Sequence, residues 1–177
     1  MIQFSMMWWV LAIFFAIAGW VRGWNKELLA TAGIVLGLFA LFQFDTLLRG
    51  TILLNVSRDQ TLFVQVGIFM VVVFFAYQSR IVVGSGGRRD SETLQESILG
   101  ALLGFLNGYL IWGSLWYFMD INEYPWSTLI TAPAPGSSSA NAIGLLPLVI
   151  VSGGANGTGD LLAVAVILLF LVVLIML

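Results

Sequence analysis

Chemistry in this chain would have to come from a short list of side chains. The 177 residues include no histidine and no cysteine, and they contain only 7 lysine or arginine and 9 aspartate or glutamate residues. Without histidine and cysteine there is no disulfide, no thiol nucleophile, and no zinc, haem or iron–sulfur site of the usual kind. An enzyme would need carboxylate, lysine, serine or tyrosine groups brought together in one place.

The charged residues do not form the pattern of an active site. Asp90, Glu92 and Glu96 cluster before an apolar segment, where acidic residues complement the dipole of a starting helix. The glycine-rich stretch 152–160 lacks the lysine and the spacing of a phosphate-binding loop. A net charge of -2 does not suggest a nucleic-acid partner. We therefore predict a protein that is not an enzyme and has no catalytic residue, cofactor or metal.

Polar residues inside the apolar segments are few and uncharged. Gln65, Asn107 and Ser114 lie within such segments, whereas every charged residue is placed in a loop or at a segment end, with Glu27 in the connection 22–27. Ionisable residues at depth usually mark transport paths, and their predicted absence argues against an ion pump. Gln65 and Asn107 are predicted to form hydrogen bonds between helices.

Glycine spacing gives a clearer signal. Gly100, Gly104 and Gly108 recur every four residues, and Gly33 and Gly37 repeat the spacing. Such glycines let two helix backbones approach closely in lipid, where close van der Waals contact holds helices together. The pattern predicts helix packing, and it leaves open whether the stripe on 98–119 contacts this chain or a partner.

These side chains are carried by segments long enough to cross a bilayer. The chain is 60% hydrophobic and 9% charged, against about 25% charged in a soluble domain. A membrane-crossing helix needs about 20 apolar residues. We predict an all-α integral membrane helical bundle of four to five transmembrane helices. Its core is 1–119, followed by an outer Pro/Gly/Ser-rich segment, 120–160, and a fifth helix that is predicted over 161–177. The four core spans are 4–21, 28–44, 62–78 and 98–119.

Loop charge predicts the orientation, because basic residues favour the cytoplasmic side. An outside N-terminus puts five basic residues in cytoplasmic connections, where they would contact lipid headgroups. Arg49 and Arg58 would then lie outside, and 120–160 contains no lysine or arginine. The five predicted cytoplasmic residues are Arg22, Lys26, Arg80, Arg88 and Arg89.

Tryptophan placement favours the same arrangement. Tryptophans are predicted at both membrane–water interfaces, as a belt rather than as a ligand site. Within 120–160, the apolar run 143–151 is too short to cross and is expected in the interface or against the other helices. The tryptophans assigned to the belt are Trp8, Trp9, Trp20, Trp24, Trp112, Trp116 and Trp126.

Two motifs resemble those of a known family. The turn that contains Arg22-Gly23, Lys26-Glu27 and Leu28 is similar to the basic turn between the first two spans of the colicin V production protein family. The glycine-striped segment 99–108 resembles that family's last span. The similarity covers about residues 1–120. It implies a four-span inner-membrane protein, linked to colicin export and envelope upkeep and without an established catalytic activity.

Three functions are compatible with these features. The leading hypothesis is a non-enzymatic, multi-pass protein of the bacterial cytoplasmic membrane that acts through helix–helix packing in envelope organisation. Its partners would be membrane lipids and other membrane subunits or further copies of itself. An alternative is a cofactor-free accessory subunit of a larger respiratory or photosynthetic complex. A small-solute channel or carrier is the third hypothesis, and it depends only on Gln65 and Asn107.

Overall fold

A computed structural model describes residues 4–78, 94–126, 130–153 and 157–176. These residues are mainly helical and include no strand, as predicted. The helices are α1 (Phe4–Arg22), α2 (Trp24–Gln43), α3 (Asp45–Leu47), a π-helical turn (Leu48–Ile52), α4 (Arg58–Gln78), α5 (Leu94–Ile121), α6 (Ser138–Ala142), a 3-10 turn (Ile143–Leu145), α7 (Pro147–Ser152) and α8 (Asp160–Met176).

Four helices are long and apolar enough to cross a membrane: α1, α2, α4 and α5. α2, α4 and α5 each begin four residues before the predicted span, because the polar residues there continue the helix, whereas α1 gains only Arg22. α8 has 17 residues and is shorter than the four long helices. At about 1.5 Å per residue it is roughly 25 Å long, somewhat less than the hydrocarbon core.

The helix directions follow from which residues meet. Gly19 near the end of α1 meets Gly100 near the start of α5, and Ala12 meets Gly108, so α1 and α5 are antiparallel. In the same way Gly33 of α2 packs on Ala76 of α4. The bundle therefore alternates in direction along the chain, as a four-span membrane protein requires.

The bundle has two ends with different contents. At the Glu27 end, α1 stops at Arg22 and α2 begins at Trp24. Only Gly23 separates them, and its φ of 82° is in a region that glycine adopts readily. At the opposite Asp45 end, α2 stops and α4 begins. α8 also starts at this end, where Gly159 contacts Phe42 of α2.

The segment after α5 folds back onto the bundle. Its short helices α6 and α7 pack against the long helices, and a Cβ atom added to Gly113 would lie 2.8 Å from Pro147 Cγ. The Tyr109 hydroxyl donates a hydrogen bond of 2.6 Å to the Leu145 carbonyl. Gly113 lies about 12 Å along the α5 axis from Ile121, where that helix ends, so Pro147 contacts α5 well before its end. Residues 143–151 therefore lie against the other helices, one of the two placements that the sequence predicted.

Candidate functional site

Glu27 is the most unusual side chain that the structure describes. It lies in the first turn of α2 and is 1% exposed. The sequence placed Glu27 in the connection 22–27, whereas α2 begins at Trp24, so Glu27 lies inside the helix at the end of this span. A buried carboxylate in a membrane helix is costly unless it is paired, and such groups are often functional.

The Glu27 carboxylate is bonded to all three of the other long helices. Arg22 Nη1 of α1 donates a hydrogen bond of 2.6 Å to Glu27 Oε1, forming an ion pair. Asn107 Nδ2 of α5 donates one of 2.7 Å to Glu27 Oε2, and the Tyr77 hydroxyl of α4 donates one of 3.3 Å to the same oxygen. One side chain thus links α2 to α1, α4 and α5.

Asn107 and Thr31 complete this cluster. Asn107 Nδ2 also lies 3.1 Å from the Glu27 backbone carbonyl. The Thr31 hydroxyl donates to Asn107 Oδ1 at 2.7 Å. Both residues are buried, so each amide and hydroxyl group has a partner where water is excluded. Asn107 therefore bonds between helices. We call Arg22, Glu27, Thr31, Tyr77 and Asn107 the Glu27 network.

Arg22 also closes the end of α4. Its guanidinium lies 4.4 Å from the centre of the Tyr77 ring, and Nη2 donates a hydrogen bond of 3.4 Å to the Tyr77 carbonyl. A cation is favourable at a helix C-terminus, where carbonyl groups lack helical partners. Lys26 is exposed and belongs to the same end. The other predicted headgroup residues, Arg80, Arg88 and Arg89, lie outside the described residues.

The glycine stripe of α5 is used inside this chain. A Cβ atom at Gly104 would lie 2.9 Å from Gly19 Cα, and one at Gly108 would lie 2.8 Å from Ala12 Cα. Gly100 faces the turn at Gly23. The stripe is therefore buried against α1. Gly19 was missed in the sequence, although Ala12 and Gly19 are small residues seven apart and share a helix face.

The second glycine pair joins α2 to α4. A Cβ at Gly33 would lie 2.6 Å from Ala76 Cβ, and one at Gly37 would lie 3.2 Å from Val72 Cβ. Substitution at either position would push α4 away from α2, because the neighbouring atoms belong to a tightly packed helix.

Gln65 belongs to a second polar cluster, at the Asp45 end. Its Nε2 donates a hydrogen bond of 2.9 Å to Asp45 Oδ1, and its Oε1 accepts one of 2.7 Å from Asn122. Arg49 Nε donates to the same Asp45 oxygen at 2.9 Å. The Asp45 side chain is 37% exposed, so solvent reaches its carboxylate, whereas the Glu27 carboxylate is buried.

The tryptophans depart from the predicted belt. Trp8 and Trp116 are each 2% exposed, and Trp8 stacks on Tyr109 with ring centres 5.0 Å apart. Trp9 and Trp20 are exposed, as belt residues are. Trp8 and Trp116 lie instead inside the bundle, where α6 packs on α1 and α7 packs on α5.

The described part of the chain holds no cluster of three or more residues suited to a metal ion. Its buried polar groups mainly bond to one another. Exceptions among the described residues are Arg49 Nη2, Trp112 Nε1 and Ser114 Oγ, which are buried without a hydrogen-bond partner.

Comparison with known families gives one match. The family model described as colicin V production protein matches residues 4–141, which is most of the chain. The chain belongs to the colicin V production protein family. No curated protein and no solved structure matches it significantly.

The family match confirms the resemblance found in the sequence and extends it beyond residue 120. It covers all four long helices and reaches α6, whereas α7 and α8 lie beyond it. The turn Arg22–Glu27, which carried the resemblance, is also the turn that supplies the ion pair of the Glu27 network. In this member of the colicin V production protein family, Glu27 of the motif forms hydrogen bonds to α1, α4 and α5.

Proposed function

We propose that this protein is a non-enzymatic member of the family in the bacterial cytoplasmic membrane, where it acts as a rigid helical platform in envelope organisation. The observation that carries this proposal is the Glu27 network. A single carboxylate bonds to three other helices. Breaking a buried ion pair on one side is strongly destabilising, so the arrangement favours one fixed bundle over a moving one.

A platform needs a surface for partners, and that surface is not the glycine stripe. The stripe is filled by α1, so partners would use the outward faces of the bundle. Val71 on α4 and Phe170 on α8 are among the large apolar side chains exposed there. We propose that these faces contact membrane lipid and other membrane subunits or further copies of the chain.

Copurification tests the proposed role. The complete chain is purified in a mild detergent and its associated proteins are identified by mass spectrometry. A second membrane protein in fixed ratio, or a defined oligomer, is the expected result. A stoichiometric respiratory or photosynthetic complex would instead favour the accessory-subunit alternative, and a lone chain would count against both.

A channel or carrier is the second candidate, and Glu27 gives it a specific observation. Ionisable residues within membrane helices often belong to proton relays, and Glu27 lies beside Tyr77 and Asn107. We favour the structural role because every oxygen of this carboxylate is bonded to a neighbouring helix. Liposomes that contain only this protein distinguish the two: solute or proton flux that Glu27→Gln abolishes would support transport, and inert vesicles would exclude it.

A further inference from the structure

An apolar cavity of about 280 Å³ opens between α1 and α4 at the Asp45 end. Its floor is α5, with Trp112 and Trp116, and its walls include Leu11 of α1 and Val66 of α4. Ligand pockets for drug-sized molecules range from about 300 to 1,000 Å³. This cavity is slightly smaller than that range, and its lining side chains are apolar, so it suits an aliphatic chain.

The helices that form the two walls of the cavity converge towards the Glu27 end. Towards the Glu27 end, Phe15 of α1 meets Tyr77 of α4 with ring centres 6.2 Å apart, so the two helices converge there. Towards the Asp45 end, Trp126 forms the edge of the cavity and packs against Phe63 with ring centres 4.9 Å apart. A chain that lies along α1 and α4 in this cavity would therefore have its polar end at the Asp45 end.

A polar pocket adjoins the cavity at the Asp45 end. Trp126 lines both. The polar pocket also contains Arg58, Asp59 and Glu123, and Arg58 is paired with Glu123. It thus combines one cation with two carboxylates. In a zwitterionic headgroup, the phosphate would pair with the arginine and the ammonium with a carboxylate. An anionic headgroup without an ammonium would instead add negative charge to a pocket that already has more carboxylates than cations.

The backbone at this pocket is also unusual. Glu123 and Tyr124 both have positive φ, 59° and 50°, although neither is glycine. Such residues are uncommon and cluster at binding and active sites. The turn sets Trp126 and Glu123 beside the end of α5, where the apolar and polar pockets meet.

We propose that this pair of pockets binds one phospholipid with a zwitterionic headgroup. One acyl chain fills the cavity between α1 and α4, and the headgroup lies at Arg58, Asp59 and Glu123. This site does not depend on the proposed platform role.

Native mass spectrometry of the complete chain tests this proposal, with phosphatidylethanolamine and phosphatidylglycerol supplied in equal amounts. We expect one phosphatidylethanolamine to remain bound per chain. Val66→Phe fills the space that the acyl chain would occupy and should reduce retention roughly tenfold, which corresponds to about 1.4 kcal/mol of binding free energy. Val71→Phe, the same change on an exposed face of α4, should leave retention unchanged.

The outcomes separate a built site from lipid that merely surrounds the protein. Equal retention by Val66→Phe, Val71→Phe and the unchanged chain would overturn the site, as would the absence of retained lipid. Equal binding of phosphatidylglycerol would overturn the headgroup assignment. Circular dichroism establishes whether each variant is folded. If Val66→Phe does not fold, Leu11→Phe on the opposite wall of the cavity repeats the test.

Discussion

The two ends of the bundle hold their helices together by different means. At the Glu27 end, small residues bring backbones into contact and a buried carboxylate links the four long helices. At the Asp45 end, the polar cluster is partly exposed and large aromatic side chains surround a cavity. Close packing with full hydrogen bonding leaves no room for a ligand, whereas bulky rings that keep α1 and α4 apart create that room.

Removing the carboxylate at the Glu27 end should have the largest effect. Glu27→Leu removes the carboxylate that accepts hydrogen bonds from Arg22 and Asn107, and we expect a loss of about 3 kcal/mol in the free energy of unfolding. Unfolding in mixed micelles, followed by circular dichroism, measures this loss. The matched control at the other end is Glu123→Leu, which breaks an exposed ion pair and should cost less than about 1 kcal/mol. Equal losses would show that the two ends do not differ as described.

Separating α1 from α5 should have the next largest effect. Gly104→Leu places a side chain where Gly19 and Phe15 already lie, and overpacking of this kind costs about 1–3 kcal/mol. Altered migration on a native gel and a lower unfolding temperature are expected. Gly67→Leu is the control, because a Cβ atom there meets nothing within 4 Å. Unchanged stability of Gly104→Leu would refute the packing role of the stripe.

A smaller difference is expected between two buried amides. Asn107→Ala removes three hydrogen bonds, two of them to Glu27, and should cost about 1–2 kcal/mol because it leaves buried polar groups with fewer partners. Gln65→Ala removes two bonds in the more exposed cluster and should cost about 0.6 kcal/mol, the average for such bonds in membrane proteins. The same unfolding measurement compares them, and a larger loss for Gln65→Ala would reverse the ranking of the two ends.

Labelling decides which end faces the cytoplasm, without an expected change in stability. Ser138 at the start of α6 is exposed, and cysteine introduced there should react with an impermeant reagent added to intact cells. Cysteine introduced at Ser85 should react only after the cells are opened. The reverse pattern would place the Glu27 end, with Arg22 and Lys26, on the outer side.

Apolar segment length was enough to predict the four long helices, because a bilayer imposes one length and one composition on whatever crosses it. Asn107 could be anticipated as an interhelical residue because it is a polar side chain within an apolar segment. Glu27 could not, because its burial depends on where α2 begins, and a hydropathy pattern places such boundaries only within a few residues. The helix that packs on the glycine stripe, α1, could be identified only from three-dimensional contacts.

The tryptophans show a further limit of sequence reasoning. Trp8 and Trp116 have the positions of interface residues along their helices, but they are buried where α6 folds back onto α1 and α7 onto α5. That fold-back depends on contacts such as Pro147 with Gly113, which join residues far apart in the chain. Periodicity within a segment carries no information about such contacts.

The proposed platform role is tested most directly by the mass of the intact assembly. Native mass spectrometry of the complete chain, released from membranes in a mild detergent, should give this protein together with a second membrane protein or with further copies of itself. A single chain without any protein partner, which moves protons or a solute when it is reconstituted alone, would contradict the proposal.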